Sequence, residues 1–469
     1  MNRSPRGHRK GLVERAFRRN HDPPEENGAV YTVSGGVLAK DSERRLGYWS
    51  VVSIGIGGMV GGGIFAVLGL AVELAGGATP IAFLVAGVVA AITCYSYVKL
   101  SVRFPSQGGT VEFLNQGFGT DLFTGGMNVL LWISYLVMLS LYASAFGSYG
   151  ASFFPASVQG LMKHVLMSAV IIGFAALNAL GAVIVGRAEE AVVAFKLAIL
   201  VVFVGVGLFS ISAPRLSPST WPSGIPLVAG GMIIFVAYEG FELIANTAKD
   251  VKNPERTLPR AYYSAVGFVI ALYVLVALVT VGNLPVAQII GAKGFALAQA
   301  AKPFLGQAGF ALIAAAAMLS TASAINATLY GTARVSYIIA KDGELPAGLE
   351  KKVWKRPLDG LLITAVLTLI IANAFNLNSI ATMGSAGFLL IFAAVNAADF
   401  RLRDKTGGNK WISLLGTAVC LGALGALIWE TATRHPWNIL VLAVMVGVSF
   451  AIEAVYRRVT GRQIKPILK

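Results

Sequence analysis

Long apolar runs recur along nearly the whole of this sequence, and they dictate what it can fold into. A helix that crosses a bilayer needs about 20 mainly apolar residues. Runs of that kind lie near 48–70, 80–102, 122–152, 164–184, 188–211, 225–247, 261–282, 308–338, 358–375, 380–400, 411–430 and 437–456. The third and eighth are long enough to tilt or to extend beyond the bilayer. Of the 469 residues 56% are hydrophobic and 13% are charged, whereas about a quarter of the residues in a soluble domain carry charge. Such a surplus belongs in lipid, where helices satisfy their own backbone. The expected class is all-α integral membrane, with twelve transmembrane helices.

The net charge of +15 invites a nucleic-acid partner. Placement argues against it, because the basic residues fall between the apolar runs. Their distribution orients the chain instead. Lys163, Arg215, Lys293, Lys302 and Arg434 fall in the loops of one side, Lys196 lies inside a run, and every other lysine and arginine falls on the side of the amino terminus. Both termini are therefore expected in the cytoplasm, with the chain crossing the cell (inner) membrane many times.

Residues 1–45 are polar and Arg-rich, include Asp22-Pro23-Pro24-Glu25-Glu26, and read as a disordered basic cytosolic tail rather than a signal peptide. Residues 46–400 form the expected core, and 401–469 hold the last two spans and a cytosolic end. Cys94 and Cys420 sit within apolar runs as buried thiols, and His8, His21, His164 and His435 are scattered. That pattern offers no disulfide framework, metal site, cofactor site or nucleophile motif, so enzymatic activity is not expected. A channel would spread a polar lining around a pore, whereas here the interruptions are concentrated in two runs.

The first of these carries Gly55-Ile56-Gly57-Gly58-Met59-Val60-Gly61-Gly62-Gly63-Ile64-Phe65. Each glycine in a helix interior costs roughly 1 kcal/mol relative to alanine, so six within nine residues argue against continuous helix. Close helix packing of the GxxxG kind is the alternative, but packing needs one face only. An unwound segment at membrane depth is tolerable where it lines a cavity, and amides at a half-helix start suit a carboxylate. The sixth run carries Phe235-Val236-Ala237-Tyr238-Glu239-Gly240-Phe241-Glu242. Carboxylates inside an apolar run point to function, though an ion pair near the cytosolic end is the plainer alternative for Glu242. Paired interrupted helices in two halves of a chain are a pointer to a transporter site.

Lys196 lies nine residues after Arg187, where Arg187-Ala188-Glu189 opens the fifth run. Nine helical residues rise roughly 13 Å, near the middle of a core about 30 Å thick. Snorkelling to an interface is the alternative, and mid-depth placement strains it.

These features together resemble the amino acid–polyamine–organocation superfamily. The similarity rests on Gly61-Gly62-Gly63-Ile64-Phe65, and on Phe235 to Glu242 followed by Lys249-Asp250-Val251-Lys252-Asn253-Pro254-Glu255-Arg256-Thr257-Leu258-Pro259. It continues through Leu319-Ser320-Thr321-Ala322-Ser323-Ala324-Ile325-Asn326 to Arg334 and Lys341-Asp342-Gly343-Glu344-Leu345-Pro346. The family commonly has two acidic residues where this chain has Lys249-Asp250.

The resemblance implies a LeuT-like fold, a 5+5 inverted repeat plus two helices, with helices 1 and 6 broken. It implies a substrate carboxylate held around Gly57 to Gly63, by Ile56, Gly57, Gly58, Val60, Gly61 and Gly62. The substrate's amino group would meet the sixth span through Phe235, Val236, Tyr238, Glu239, Gly240 and Glu242. The spacing to Lys196 resembles the proton-coupled branch, which places that lysine between spans 1 and 8, with Ser320, Thr321 and Ser323 supplying oxygens. The implied function is import of amino acids by proton symport with alternating access. Protons, membrane lipids and a small amino acid or amine are the implied partners. Glu239 and Glu242 keep open cationic amino acids, polyamines or ethanolamine-like amines, by symport or exchange.

Overall fold

The computed structural model describes residues 46–180, 187–222, 224–342 and 358–460. The amino-terminal stretch and the Gly343–Pro346 motif lie outside them. The described chain is helical, with one isolated parallel bridge between Leu46 and Val251. The first apolar run forms two helices, α1 (Tyr48–Met59) and α2 (Gly63–Ala75), separated at Val60–Gly62. Then come α3 (Thr79–Arg103), α4 (Thr110–Phe118), α5 (Leu122–Ala151), α6 (Gln159–Leu180) and α7 (Arg187–Gly207). The sixth run is helical as α8 (Gly224–Ile233) and then tightens into 3₁₀ turns over Phe235–Ala237 and Glu239–Asp250. The longer helices that follow are α9 (Pro254–Asn283), α10 (Ala296–Asp342), α11 (Leu358–Ala374), α12 (Leu377–Arg401), α13 (Lys410–Arg434) and α14 (Pro436–Thr460). Helix α10 begins earlier than its apolar run and kinks at Gly306, where φ is 64°.

Ten segments of the described chain are long and apolar enough to cross a membrane. Local chemistry starts several of them. The Asp121 side chain accepts the Thr124 amide ahead of α5, Asn376 accepts that of Ser379 ahead of α12, and Asn409 that of Trp411 ahead of α13. Each supplies an acceptor for an amide that the helix leaves orphaned. Helices α5 and α12 are largely buried, whereas α6, α13 and α14 expose Ile172, Leu421, Trp429 and Leu440. An apolar exterior of this kind suits a lipid surround.

The two interrupted runs pack against each other half by half. Helix α1 lies along the 3₁₀ segment Glu239–Asp250, and α2 lies along α8. Their outer ends are strapped together as well: the Leu46 amide donates to Asp250 O (2.7 Å) and the Lys252 amide to Leu46 O (2.9 Å). Helix α9 packs on α3 and α1, and α10 on α5 and α7. The breaks therefore sit at the centre of the bundle.

Candidate substrate and coupling site

The last bond of α1 runs from the Val60 amide to Ile56 O (2.8 Å), and α2 takes up again with the Ala66 amide on Gly62 O (3.0 Å). Between these, the amides of Gly61 to Phe65 reach no acceptor among the described residues. They form the positive end of a half-helix, the usual setting for an anion. On the other side of the break the carbonyl end of α1 attracts cations and donors. Lys196, 1% exposed on α7, donates from Nζ to Gly57 O at 3.2 Å. Ser320 on α10 directs its hydroxyl at Val60 O (3.1 Å) and Gly61 O. Thr321 turns away and donates to Ala317 O and Met318 O of its own helix. Ser323 is half-buried and, among the described residues, makes no hydrogen bond to the break.

Glycine decides how closely the interrupted spans approach. A Cβ on Gly58 would lie 2.7 Å from Gly240 O, and one on Gly240 would lie 2.5 Å from the Met59 nitrogen. Gly63 meets Ala237, and Gly62 lies against the ring of Tyr142. The break in the sixth span is held from two sides. The Ser385 hydroxyl on α12 donates to Ile233 O (3.1 Å) and accepts the Val236 amide (3.2 Å). Tyr273 on α9 donates to Met59 O (2.6 Å), with Ala237 O at 3.4 Å, so one hydroxyl ties the two spans. Replacing Tyr273 with phenylalanine is expected to cost about 1–3 kcal/mol, the penalty of an unsatisfied buried carbonyl, read as a lower melting temperature in detergent. Phe235 stacks edge-on against Phe392 (5.7 Å), and the Tyr238 hydroxyl donates to Phe83 O (3.0 Å).

Glu239 and Glu242, alike in sequence, have different surroundings. Glu242, 1% exposed, is enclosed by hydroxyls. Tyr97 of α3 and Thr110 of α4 each lie 3.1 Å from Oε2, and Tyr135 of α5 donates to Oε1. Glu239, 5% exposed, receives only a long bond (3.4 Å) from the Tyr142 hydroxyl on Oε1, and its Oε2 has no partner. Among the described residues neither glutamate forms an ion pair, so the structural pair considered for Glu242 is replaced by a hydroxyl cage.

The sequence reading passed over Tyr97, Thr110, Tyr135, Tyr142, Tyr273 and Ser385. A signal for them existed, because a tyrosine or serine hydroxyl inside an apolar span has to find a partner. Which partner it finds depends on long-range packing.

Comparison with known proteins agrees with this architecture. The model of the amino acid permease family matches residues 46–451. An uncharacterised protein of Methanocaldococcus jannaschii is 37% identical, over 89% of this chain and 97% of its own. The inner membrane transport protein YbaT of Escherichia coli is 35% identical, over 84% of this chain and 93% of its own. A methylthioribose transporter of Bacillus subtilis is 29% identical, over 80% and 84% respectively. With its interrupted central helices and a family match spanning nearly all the described helices, the chain belongs to the amino acid permease family of membrane transporters.

Proposed function

We propose that the protein imports amino acids across the inner membrane by proton symport, with alternating access around the two breaks. In this reading α1 and α2 form one interrupted span, the seventeen-residue α11 also crosses, and the total is twelve with both termini cytoplasmic. The antiparallel pairing of α1 with Glu239–Asp250, and of α2 with α8, supports two inverted halves. The substrate carboxylate lies on the free amides after Val60, and its ammonium on the sixth-span side.

The observation that carries the coupling is the Lys196 bond to Gly57 O. An ammonium has three donors and no acceptor, so protonated Lys196 holds the carbonyl end of α1, and a neutral amine holds it less. The proton thereby biases whether α1 is docked against α7, and the break that follows α1 carries the substrate amides. Ser320 holds the next carbonyls from α10 and keeps the break open. A second reading, uptake or exchange of cationic amines, draws its support from the two buried glutamates.

The test is uptake of labelled substrates into liposomes, with alanine, lysine, putrescine and methylthioribose, under a proton gradient, a sodium gradient or none. Wild-type uptake is expected to rise with the inward proton gradient and to ignore sodium. Lys196→Ala is expected to lose that increment, about an order of magnitude for a coupling of 1–3 kcal/mol. Sodium dependence, or an unchanged proton response in Lys196→Ala, would sink the coupling while leaving the carrier intact.

A further inference from the structure

At the break in the sixth span, most backbone acceptors are already engaged. Ile233 O takes the Ser385 hydroxyl, Ile234 O the Ala237 amide, Phe235 O the Tyr238 amide, and Ala237 O faces the Tyr273 hydroxyl. Glu242 is enclosed by Tyr97, Thr110 and Tyr135. Among the side-chain acceptors of the described residues at this break, Oε2 of Glu239 is buried and without a partner. A buried carboxylate oxygen in that condition is costly unless a proton or a cation meets it.

The position of this oxygen relates it to the free amides. The Tyr142 ring lies against Gly62, and its hydroxyl donates to Oε1 of the same carboxylate. One tyrosine ring therefore separates the positive end of α2 from Glu239. Among the described residues, the titratable groups around Glu239 are Tyr142 and Tyr135 on α5, Tyr273 on α9 and Glu242 on its own segment. None of them is a cation. Lys196 donates to Gly57 O on the carbonyl side of α1.

We infer that Glu239 is the specificity residue of this site, and that its Oε2 receives the ammonium of a substrate carrying net positive charge, a basic amino acid or an amine. The inference rests on the carrier reading and names its substrate class. The physical ground is charge balance. A zwitterion closed in beside an ionised Glu239 leaves a buried site with an unbalanced negative charge, which a zwitterion tolerates only when Glu239 carries a proton. A cationic substrate supplies the missing charge itself. Proton and cationic substrate therefore compete for one oxygen, and a neutral amino acid does not displace the proton.

The experiment compares wild type, Glu239→Gln and Tyr142→Phe in liposome uptake, and in ligand-induced thermal shift in detergent, with lysine, putrescine and alanine. Wild type is expected to prefer lysine or putrescine, more strongly as pH rises. Glu239→Gln is expected to lose roughly 10- to 100-fold in cationic-substrate affinity, the range of one charge-assisted hydrogen bond, and to lose less for alanine. Tyr142→Phe leaves Oε2 in place and is expected to keep the preference. Alanine uptake by wild type with no binding of lysine or putrescine at any pH would overturn this inference and leave the carrier reading standing. Binding of lysine or putrescine lost in Glu239→Gln, in a protein that transports nothing, would support the inference and sink the carrier reading. Unchanged cation selection in Glu239→Gln would overturn it outright.

Discussion

Gly240→Ala is expected to reduce transport to background. The added Cβ would meet the Met59 nitrogen at 2.5 Å and the Gly58 carbonyl oxygen at 2.6 Å, and these are backbone atoms that no rotamer change can move. Overpacking in a well-packed core costs about 1–3 kcal/mol when side chains can adjust. Here relief requires the two interrupted spans to separate. Separation would draw Met59 O from Tyr273, which ties α1 to the sixth span. Gly58→Ala should behave similarly, with Gly240 O at 2.7 Å from its Cβ. Its neighbour supplies the control: a Cβ at Gly57 meets only Val193 Cγ2, at 3.4 Å, which is ordinary contact. Uptake and melting temperature in detergent should therefore fall steeply for Gly58→Ala and little for Gly57→Ala. Equal effects at the two positions would mean that the glycines act through backbone freedom rather than close approach.

The second large effect is expected at Glu242. Glu242→Leu removes the acceptor shared by Tyr97, Thr110 and Tyr135, all buried. Tyr97 and Thr110 lie 2.8 Å apart, so one can donate to the other. Two hydroxyl hydrogens are then left without a partner, at about 1–3 kcal/mol each. The damage is tertiary, because the three hydroxyls come from α3, α4 and α5 and converge on the sixth span. Gly109, at φ 45° just before α4, also packs against Ala245 of that segment, so α4 is expected to loosen with it. Glu242→Gln should be far milder. Its carbonyl oxygen still accepts from Tyr135, and its amide can donate to the Tyr97 or Thr110 oxygen. Melting in detergent, read against Glu242→Gln, separates the two contributions. A leucine variant as stable as wild type would show that the hydroxyls find other partners.

The helices and the positions of the breaks were legible in the sequence because they are local properties. Twenty mainly apolar residues in succession mark a helix long enough to cross a membrane, and six glycines within nine residues withdraw helix propensity at that point. Lys196 was singled out from its place within an apolar run alone, and the structure buries it at the carbonyl end of α1.

What the bundle alone decided is the use of each polar side chain. Ser320 and Thr321 are adjacent hydroxyls, yet a helix turns about 100° between them. One therefore faces the break in α1–α2, and the other bonds its own helix. Glu239 and Glu242 lie three residues apart on the same segment, but the cage around Glu242 is assembled from residues up to 145 positions away. That convergence leaves Glu239 with a free oxygen. A hydroxyl or carboxylate announces in sequence that it needs a partner. Only packing between helices distant in the chain determines which partner it receives, and which group is left facing the site.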